Sequence, residues 1–304
     1  MTKTARLTVP LTLVALLLGA CGGPGPPGKQ IEHPIGDAVV LRVSYSGGFV
    51  GPGFDLLNHP TFSLLGDGRV IVPGAQVLLF PGPALPAMNV RRLTESGIQA
   101  VLAELEATGL FAEDLDLRGA ANCVADASDV IFALHADQRD VTVTVYGLGI
   151  LDAGSSCTGV SADELAMHVT LNRLTARLSD LDSWLPAGSW ADGWQDYRPD
   201  AMRLIVRNAD ADEPDGSGIP SSLVPWPAGS DPATFGEETD FGLRCGVVGG
   251  TDADEWYDLL GAANQLTRFN RDEHRYAVSI RFLLPDEPPE CVPPRGLTSG
   301  LRLL

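Results

Sequence analysis

The sequence predicts an α+β fold in two small halves, each of antiparallel strands packed with one or two amphipathic helices. Three observations predict this fold class. Short segments that alternate apolar and polar residues occur in pairs around turn-forming residues, as in β-hairpins. Longer segments place apolar residues every three or four positions, as in helices with one buried face. The order strand, helix, strand occurs in both halves of the 304-residue chain.

The first 20 residues are excluded from this fold because they have the pattern of a bacterial lipoprotein signal peptide. Lys3 and Arg6 precede an apolar segment that is shorter than the ~20 residues needed to span a bilayer. Leu18-Gly19-Ala20-Cys21 then matches the lipobox, in which small residues precede a cysteine that is acylated before cleavage. We therefore predict a signal peptide over residues 1–20 and lipidation of Cys21. The alternative is an ordinary secretory signal that is followed by a cysteine.

Residues 21–36 are predicted to form a tether between this lipid anchor and the first domain. The tract Gly22-Gly23-Pro24-Gly25-Pro26-Pro27-Gly28 consists of glycine and proline alone and cannot bury a core, and such tracts behave as spacers. Two α+β domains are expected after the tether, over residues 37–187 and 188–304.

The first domain is expected to begin with a strand in which Leu41, Val43 and Tyr45 alternate with polar residues. Next comes a hairpin, with strands at 62–64 and 70–72 around the turn Gly66-Asp67-Gly68. A helix capped by Thr94 should follow and end at Gly109. Its buried stripe is predicted to consist of Ile98, Val101, Leu102 and Leu105.

The rest of the first domain is expected to contain a second hairpin and a second helix. The hairpin pairs residues 130–134 with 141–146 around the polar turn 135–138. The helix begins at the predicted capping box Ser161-x-x-Glu164, and Pro186 ends it.

The second domain should start with an aromatic linker over residues 188–200 and a strand at 202–206. A polar, proline-rich segment follows from 208 to about 240. A second predicted capping box, Asp252-x-x-Glu255, should open a helix with Trp256 on its buried face. The last predicted strand runs from Tyr276 to Phe282, again with alternating apolar residues.

Four cysteines remain after Cys21: Cys123, Cys157, Cys245 and Cys291. An even number of cysteines in an exported chain predicts two disulfides, for which three pairings exist. We favour Cys123 with Cys157 and Cys245 with Cys291, because each pair then lies within one half. Zinc binding is the alternative, but no C-x2-C spacing supports it.

The charge balance argues against two classes of partner. The chain carries 39 acidic and 21 basic residues, a net charge of −18. Cleavage after residue 20 would remove only two basic residues, giving about −20. Such a surface repels nucleic acid and anionic lipid headgroups. We therefore expect the membrane to be bound through the Cys21 lipid anchor, with an unknown protein or glycan as the partner.

Several turn motifs resemble those of uncharacterised exported lipoproteins from high-GC bacteria. The motifs are Gly47-Gly48-Phe49, Gly66-Asp67-Gly68-Arg69-Val70, Trp226-Pro227, Phe235-Gly236 and Leu283-Leu284-Pro285-Asp286-Glu287. The resemblance covers most of the chain after Cys21. It implies an exported lipoprotein and supplies no activity.

No catalytic residue, metal ligand or cofactor is predicted. The sequence has no G-x-S-x-G or H-E-x-x-H motif, and its five histidines are scattered. The acidic segment 210–216 resembles a calcium loop in composition. However, Pro214 occupies a position where a ligand belongs, and no glutamate stands at the twelfth position. A solvated acidic loop is the favoured interpretation.

Four aromatic residues in predicted loops are the candidate binding residues: Trp190, Trp194, Tyr197 and Trp226. In a loop, an aromatic ring can stack on a sugar or anchor a protein partner. The favoured alternative is that these rings cover the seam between the two halves.

Two functional hypotheses follow. The first is a membrane-anchored surface or periplasmic lipoprotein with a non-catalytic binding or structural role. The second is an envelope hydrolase that uses Asp or Glu carboxylates without a recognisable motif. Both place the protein on the extracytoplasmic face of the cell membrane.

Overall fold

Two β-sheets and four α-helices make up the described part of the chain, which confirms the α+β prediction. The computed structural model describes residues 30–51, 53–152, 154–213, 216–239 and 242–291. The predicted signal peptide, Cys21 and the tether as far as residue 29 lie outside these residues. None of the helices described is long and apolar enough to cross a membrane.

The first sheet has eight strands in the order β5-β7-β6-β1-β2-β3-β4-β8. Their bounds are β1 (Val39–Ser46), β2 (Phe62–Leu65), β3 (Arg69–Pro73), β4 (Met88–Arg92), β5 (Leu115–Leu117), β6 (Asp129–Ala136), β7 (Arg139–Tyr146) and β8 (Gln195–Asp196). Neighbouring strands are antiparallel, except that the edge strand β5 is parallel to β7. Both predicted hairpins are present. The predicted domain boundary at residue 187 falls before β8, which pairs with β4.

The turn between β6 and β7 is tighter than predicted. Asp137 and Gln138 both have positive φ values, 49° and 58°, as in a two-residue type I′ turn. The strands therefore extend to Ala136 and resume at Arg139, and His135 lies on β6 instead of in the turn.

The second sheet has six strands in the order β10-β13-β14-β9-β12-β11. Their bounds are β9 (Ala201–Asn208), β10 (Leu223–Pro225), β11 (Glu237–Glu238), β12 (Arg244–Gly249), β13 (Arg268–Arg271) and β14 (His274–Phe282). Only the edge pair β10–β13 is parallel. β9 and β14 match the two predicted strands. β12 was not predicted, because its sequence RCGVVG is short and rich in glycine, a residue that disfavours strands.

The helices are α1 (Phe54–Leu57), α2 (Glu95–Thr108), α3 (Ala162–Ser179) and α4 (Thr251–Gly261). α2 has the predicted ends: Thr94 Oγ1 accepts a hydrogen bond from Gly97 N, and Gly109 adopts a φ of 70°. Ser161 caps α3 as predicted. The Glu164 carboxylate, however, accepts from Gly119 N at 2.7 Å instead of completing a capping box.

The predicted start of α4 was wrong. The helix begins at Thr251 after Gly250, which has a φ of 58° and provides no side-chain cap. Asp252 therefore lies within the first turn, where its carboxylate is close to the positive end of the helix dipole.

Two hydrophobic cores lie on opposite faces of the first sheet. In the first core, α2 and α3 cover one face of this sheet, on which Val70 lies. The neighbouring Ile71 points to the other face and joins the second core, since adjacent residues of a strand face opposite sides. The second core also contains Leu65, Met88, Met202, Leu204, Trp256, Leu260 and Phe282. The two halves thus share a core, and the described residues from Ile31 to Cys291 belong to one compact unit.

Two disulfides join the predicted pairs. Cys123 is bonded to Cys157, and Cys245 to Cys291, with a Cα–Cα distance of 5.8 Å in each. The second disulfide fixes the segment after β14 to β12, because Cys245 lies on that strand.

A buried polar cluster joins the halves near α1. Arg281 Nη1 and Nη2 donate to Glu287 at 2.6 Å, and Arg281 Nε donates to Asn58 O. Arg203 donates to Leu56 O and Glu290 O. Arg203 is 2% exposed and Arg281 is 0% exposed. Both alternate with apolar residues on their strands, so the sequence pattern would place them on a face that is exposed to solvent. The sequence pattern gave no sign of this cluster.

Candidate ligand-binding cleft

A cleft of about 440 Å³ lies between the first sheet and the end of α3. The residues that line it include Thr61, Val72, Asn89, Ser179, Asp180, Asp182 and Trp194. We call it the Trp194 cleft. The volume is within the ~300–1,000 Å³ typical of small-molecule sites. α3 ends at Ser179, so the prediction that it continues to Pro186 was wrong. This earlier end leaves part of the face formed by β2, β3 and β4 open to solvent.

The floor of the cleft is apolar. Val70 and Val72 project from β3 on the face that carries the first core, because alternate residues of a strand share a face. Leu178 and Leu181 contribute from the last turn of α3 and the short helical turn that follows it. An apolar floor with a few polar groups around it is the usual composition of a ligand site.

Trp194 forms one wall, and its side chain is held by neighbours while 42% of the residue stays exposed. The Trp194 ring lies 5.6 Å from the Trp190 ring, centroid to centroid. The Arg91 guanidinium stacks over Trp190 at 4.0 Å and lies 5.8 Å from the Trp194 ring. Arg91 is itself fixed, because it donates to the Asp182 carboxylate and to Asp192 O. These contacts position the indole before any ligand binds.

Two polar side chains in the cleft are unengaged. Among the residues described, neither the Asn89 amide nor the Asp180 carboxylate has a hydrogen-bond or ion-pair partner. Thr61 and Ser179 donate to main-chain carbonyls, and Asp182 is paired with Arg91 at 2.8 Å. An amide supplies both donors and acceptors, whereas a carboxylate supplies strong acceptors. Together they match a ligand that carries several hydroxyl groups.

The charge of the cleft disfavours anions. Asp180 and Asp182 both line it, and Arg91, which pairs with Asp182, is a cation beside it. A ligand with a phosphate or carboxylate would face the exposed Asp180 carboxylate, and like charges repel each other, although solvent weakens the repulsion. A neutral or cationic ligand has no such cost.

Of the four candidate aromatic residues, two belong to this site. Trp194 lines the cleft and Trp190 supports it. Tyr197 is buried between the sheets, where its hydroxyl donates to Leu283 O at 3.0 Å and burial raises its pKa. Trp226 is 4% exposed within the second core, with its ring 4.9 Å from that of Trp256. The structure therefore separates Tyr197 and Trp226 from the cleft.

The carboxylates at the start of the acidic segment 210–216 are bound by other groups of the protein, whereas residues 214 and 215 lie outside the described residues. The Asp210 carboxylate accepts from Arg275 N and the His274 ring, both at 2.7 Å, and these bonds hold its pKa well below the usual range. The Asp212 carboxylate accepts from Arg207 and Arg268. Within the described ranges, no group of three or more His, Cys, Asp or Glu side chains is arranged to hold a metal ion.

His168 is the most buried histidine, and it lies on α3 away from the cleft lining. It is 0% exposed, and neither ring nitrogen has a hydrogen-bond partner among the described residues. Burial lowers its pKa and outweighs Glu164, whose carboxylate lies 4.0 Å away. We therefore interpret His168 as a neutral side chain that packs in the helix layer and has no role in the cleft.

Sequence reasoning missed Asn89, Asp180 and Asp182. Asp180 and Asp182 follow directly after the apolar stripe of α3, so their position at a helix end was a usable signal. Asn89 alternates with Met88 and Val90 on β4, and only the tertiary fold shows that its side chain lines a cleft.

No family model, curated protein or solved structure matches this chain. The cleft and the signal pattern of the sequence are therefore the two features that bear on function.

Proposed function

We propose that this protein is a membrane-anchored lipoprotein of the cell envelope that binds a glycan in the Trp194 cleft without altering it chemically. One observation carries the proposal: a partly exposed, pre-positioned indole faces the same cleft as two unengaged polar side chains, Asn89 and Asp180. The anchor is inferred from the lipobox at Leu18-Gly19-Ala20-Cys21.

A sugar ring suits this arrangement because it has two kinds of surface. Its C–H face is apolar and can stack on the Trp194 indole. Its hydroxyl groups lie around the edge of the ring and can bond to Asn89 and Asp180. The support from Trp190 and Arg91 lowers the entropy that binding would otherwise cost. The same acidic lining favours neutral sugars and amino sugars over acidic ones.

Hydrolysis is the second candidate function because two carboxylates line the cleft. Glycosidases generally place a pair of carboxyl groups on either side of the scissile bond. Here Asp182 is committed to the Arg91 ion pair, which leaves Asp180 as the carboxylate available to a ligand. Because only one of the two carboxylates is available to a ligand, we favour binding over hydrolysis.

The binding proposal is tested by calorimetric titration of the protein with neutral and N-acetylated oligosaccharides. We expect Trp194→Ala to weaken the affinity about tenfold, since an aromatic contact contributes ~1 kcal/mol or more beyond its buried area. Phe49→Ala is the matched control, because Phe49 is an aromatic residue that is 93% exposed and does not line the cleft. Equal affinities of wild type and Trp194→Ala would contradict the proposal.

The same samples are assayed for reducing-end products. No product is expected from any of the oligosaccharides. Turnover by the wild type that is lost in Asp180→Asn would establish the hydrolase interpretation instead.

The anchor is tested separately with Cys21→Ser in a bacterial host. The variant should carry no labelled fatty acid and should lose its membrane association. Labelled fatty acid on Cys21→Ser would refute the lipobox assignment.

A further inference from the structure

The loop between β3 and β4 carries an exposed apolar tip. Residues 77–80 have the sequence Val-Leu-Leu-Phe, and their exposed fractions are 58%, 99%, 71% and 57%. Soluble proteins rarely expose several large apolar side chains together unless that surface binds something. The Trp194 cleft does not use these residues.

The base of this loop is anchored to the rest of the molecule. Gly74 N donates to Ala87 O at 2.8 Å, which closes the loop. Gly82 N donates to Gln265 Oε1, and Gln265 N donates to Gly82 O. Ala84 N donates to Ala263 O, next to the end of α4. The tip thus projects from a fixed base, so its exposure is built into the fold.

We infer that residues 77–80 insert into the interfacial layer of the membrane that carries the lipid anchor. This inference rests on the anchor in the proposed function. It is carried by the fact that four consecutive side chains are all exposed. Consecutive side chains of an extended chain point in different directions, so a groove on a protein partner would cover only some of them. A lipid layer surrounds a protruding tip on every side.

The charge pattern supports a lipid environment. Residues 73–90 contain no Asp, Glu, Lys or Arg, although the whole chain has a net charge of −18. An acidic protein surface is repelled by anionic headgroups. The uncharged loop is a part of the surface that can approach the bilayer without that repulsion.

Two further exposed apolar residues lie in loops at the same end of the sheet. β1 and β3 run in the same direction, because each is antiparallel to β2. β7 also runs with β1, because both are antiparallel to β6. Phe49 follows β1 and Ile150 follows β7, and these residues are 93% and 54% exposed. They leave the first sheet at the end from which the tip projects.

The chain length before Ile31 is compatible with this orientation. Ile31 lies at the opposite end of the sheet, where Asp137 N in the β6–β7 turn donates to the neighbouring Glu32 O. Eight-residue strands such as β1 cover about 26 Å. The ten residues from Cys21 to Ile31 can reach at most ~34 Å when fully extended. Because the tip lies beyond the ends of the strands, the inference requires the tether to run nearly fully extended along the sheet.

The expected depth of insertion is shallow. Among the described residues, the backbone N–H groups of residues 75–80 have no hydrogen-bond partner. Unpaired backbone groups are costly in the hydrocarbon core, whereas water and headgroups satisfy them at its boundary. The tip should therefore stay at the level of the headgroups and the first part of the acyl chains.

The test uses the acylated full protein in vesicles of zwitterionic phosphatidylcholine. A polarity-sensitive fluorophore is attached through Leu78→Cys, and a matched label through Ala103→Cys on the exposed face of α2. We expect blue-shifted emission and quenching by spin-labelled lipid at position 78 only. Unchanged thermal unfolding would show that both labelled chains are folded.

Three results would overturn the inference. One is emission at position 78 that matches position 103 in the presence of vesicles. Another is a lack of quenching by the spin-labelled lipid. The third is a blue shift that appears without lipid and grows with protein concentration, since this would show self-association of the tip. Flotation of the same vesicles tests the anchor independently of the tip. If the protein floats but the emission of its label is not shifted, the proposed anchor is supported and only the insertion of the tip is refuted.

Discussion

At the scale of single residues, the contact between the two halves depends on charges that are buried. Arg281 lies opposite Arg203 in the pairing of β14 with β9, and both guanidinium groups are removed from water. Burial and the neighbouring Arg281 lower the pKa of Arg203 to about 10. The Glu287 carboxylate balances the charge of Arg281 directly. Burial alone would raise the pKa of Glu287, but the hydrogen bonds and the positive charge of Arg281 lower it.

Removal of the Glu287 charge should therefore destabilise the protein strongly. We expect Glu287→Gln to lower the free energy of unfolding by ~3 kcal/mol or more, because Arg281 would remain buried without its counter-charge. The neighbouring Asp286→Asn is the control, since Asp286 pairs with Arg42 and its side chain is 19% exposed. Denaturant unfolding of both variants checks this. A smaller loss in Glu287→Gln than in Asp286→Asn would contradict it.

His59 should make this contact sensitive to acid. Its Nε2 accepts a hydrogen bond from Phe282 N, and burial, together with Arg281, lowers its pKa to about 3. The folded protein keeps His59 neutral where the unfolded chain, with a pKa near 6.5, takes up a proton. Stability should therefore fall between about pH 6.5 and pH 3, with a contribution of up to ~1.4 kcal/mol per pH unit.

The measurement is the free energy of unfolding against pH for wild type and His59→Gln. The variant should lose less stability on acidification. His274→Gln is a control with the opposite sign. The His274 pKa is raised by Asp210, so that interaction stabilises the fold below about pH 6.5 and is lost as the pH rises through the folded pKa. Parallel pH profiles for wild type and His59→Gln would refute the role of His59.

At the scale of elements, the sequence predicted those helix ends that depend on interactions between neighbouring residues. The ends of α2 follow from Thr94 and Gly109, whose capping geometry is set within a few residues. α4 begins earlier than predicted, because Gly250 allows a backbone turn that a capping-box pattern does not reveal. β12 is stable as a strand because it pairs with β9 along six residues, a contact between distant parts of the chain.

The β2–β3 turn shows how one glycine fixes an element. Gly68 has a φ of 87°, and a Cβ there would lie 2.4 Å from Leu93 O. Gly47 has a similar φ of 68°, but a Cβ there would meet nothing within 4 Å. We expect Gly47→Ala to cost ~1 kcal/mol of unfolding free energy through backbone strain alone. Gly68→Ala should cost at least ~2 kcal/mol more, because the clash with a main-chain atom adds to the strain. Equal losses in thermal or denaturant unfolding would show that the close approach to Leu93 is unimportant.

At the scale of the whole molecule, the α+β class and both disulfides could be predicted from the sequence, whereas the shared core could not. Periodicity identifies which residues of a strand are buried, but both faces of the first sheet are buried here, against different layers. The composition of the cleft could not be predicted from the sequence either. Trp194 was a candidate because an aromatic ring in a loop can stack on a sugar or anchor a partner. Asn89 and Asp180, however, come from distant parts of the chain and meet only in the fold.

The shared core predicts that the two halves unfold together. Ile71 of the first sheet is 0% exposed within the core that contains Trp226 and Trp256. We expect a single calorimetric transition, and Ile71→Ala should lower its midpoint as a whole, with a loss of ~2–5 kcal/mol. Two transitions, of which Ile71→Ala shifts only one, would show that the halves are independent.

The proposed function requires Trp194 to contact a glycan in its cleft. The most direct measurement is the indole N–H NMR signal of each of the five tryptophans during titration with the tightest-binding oligosaccharide. We expect a saturable shift of the Trp194 signal, which is assigned through Trp194→Phe. The Trp190 signal should shift less, and the signals of the buried Trp226 and Trp256 should not change. An unchanged Trp194 signal at saturating ligand would contradict it.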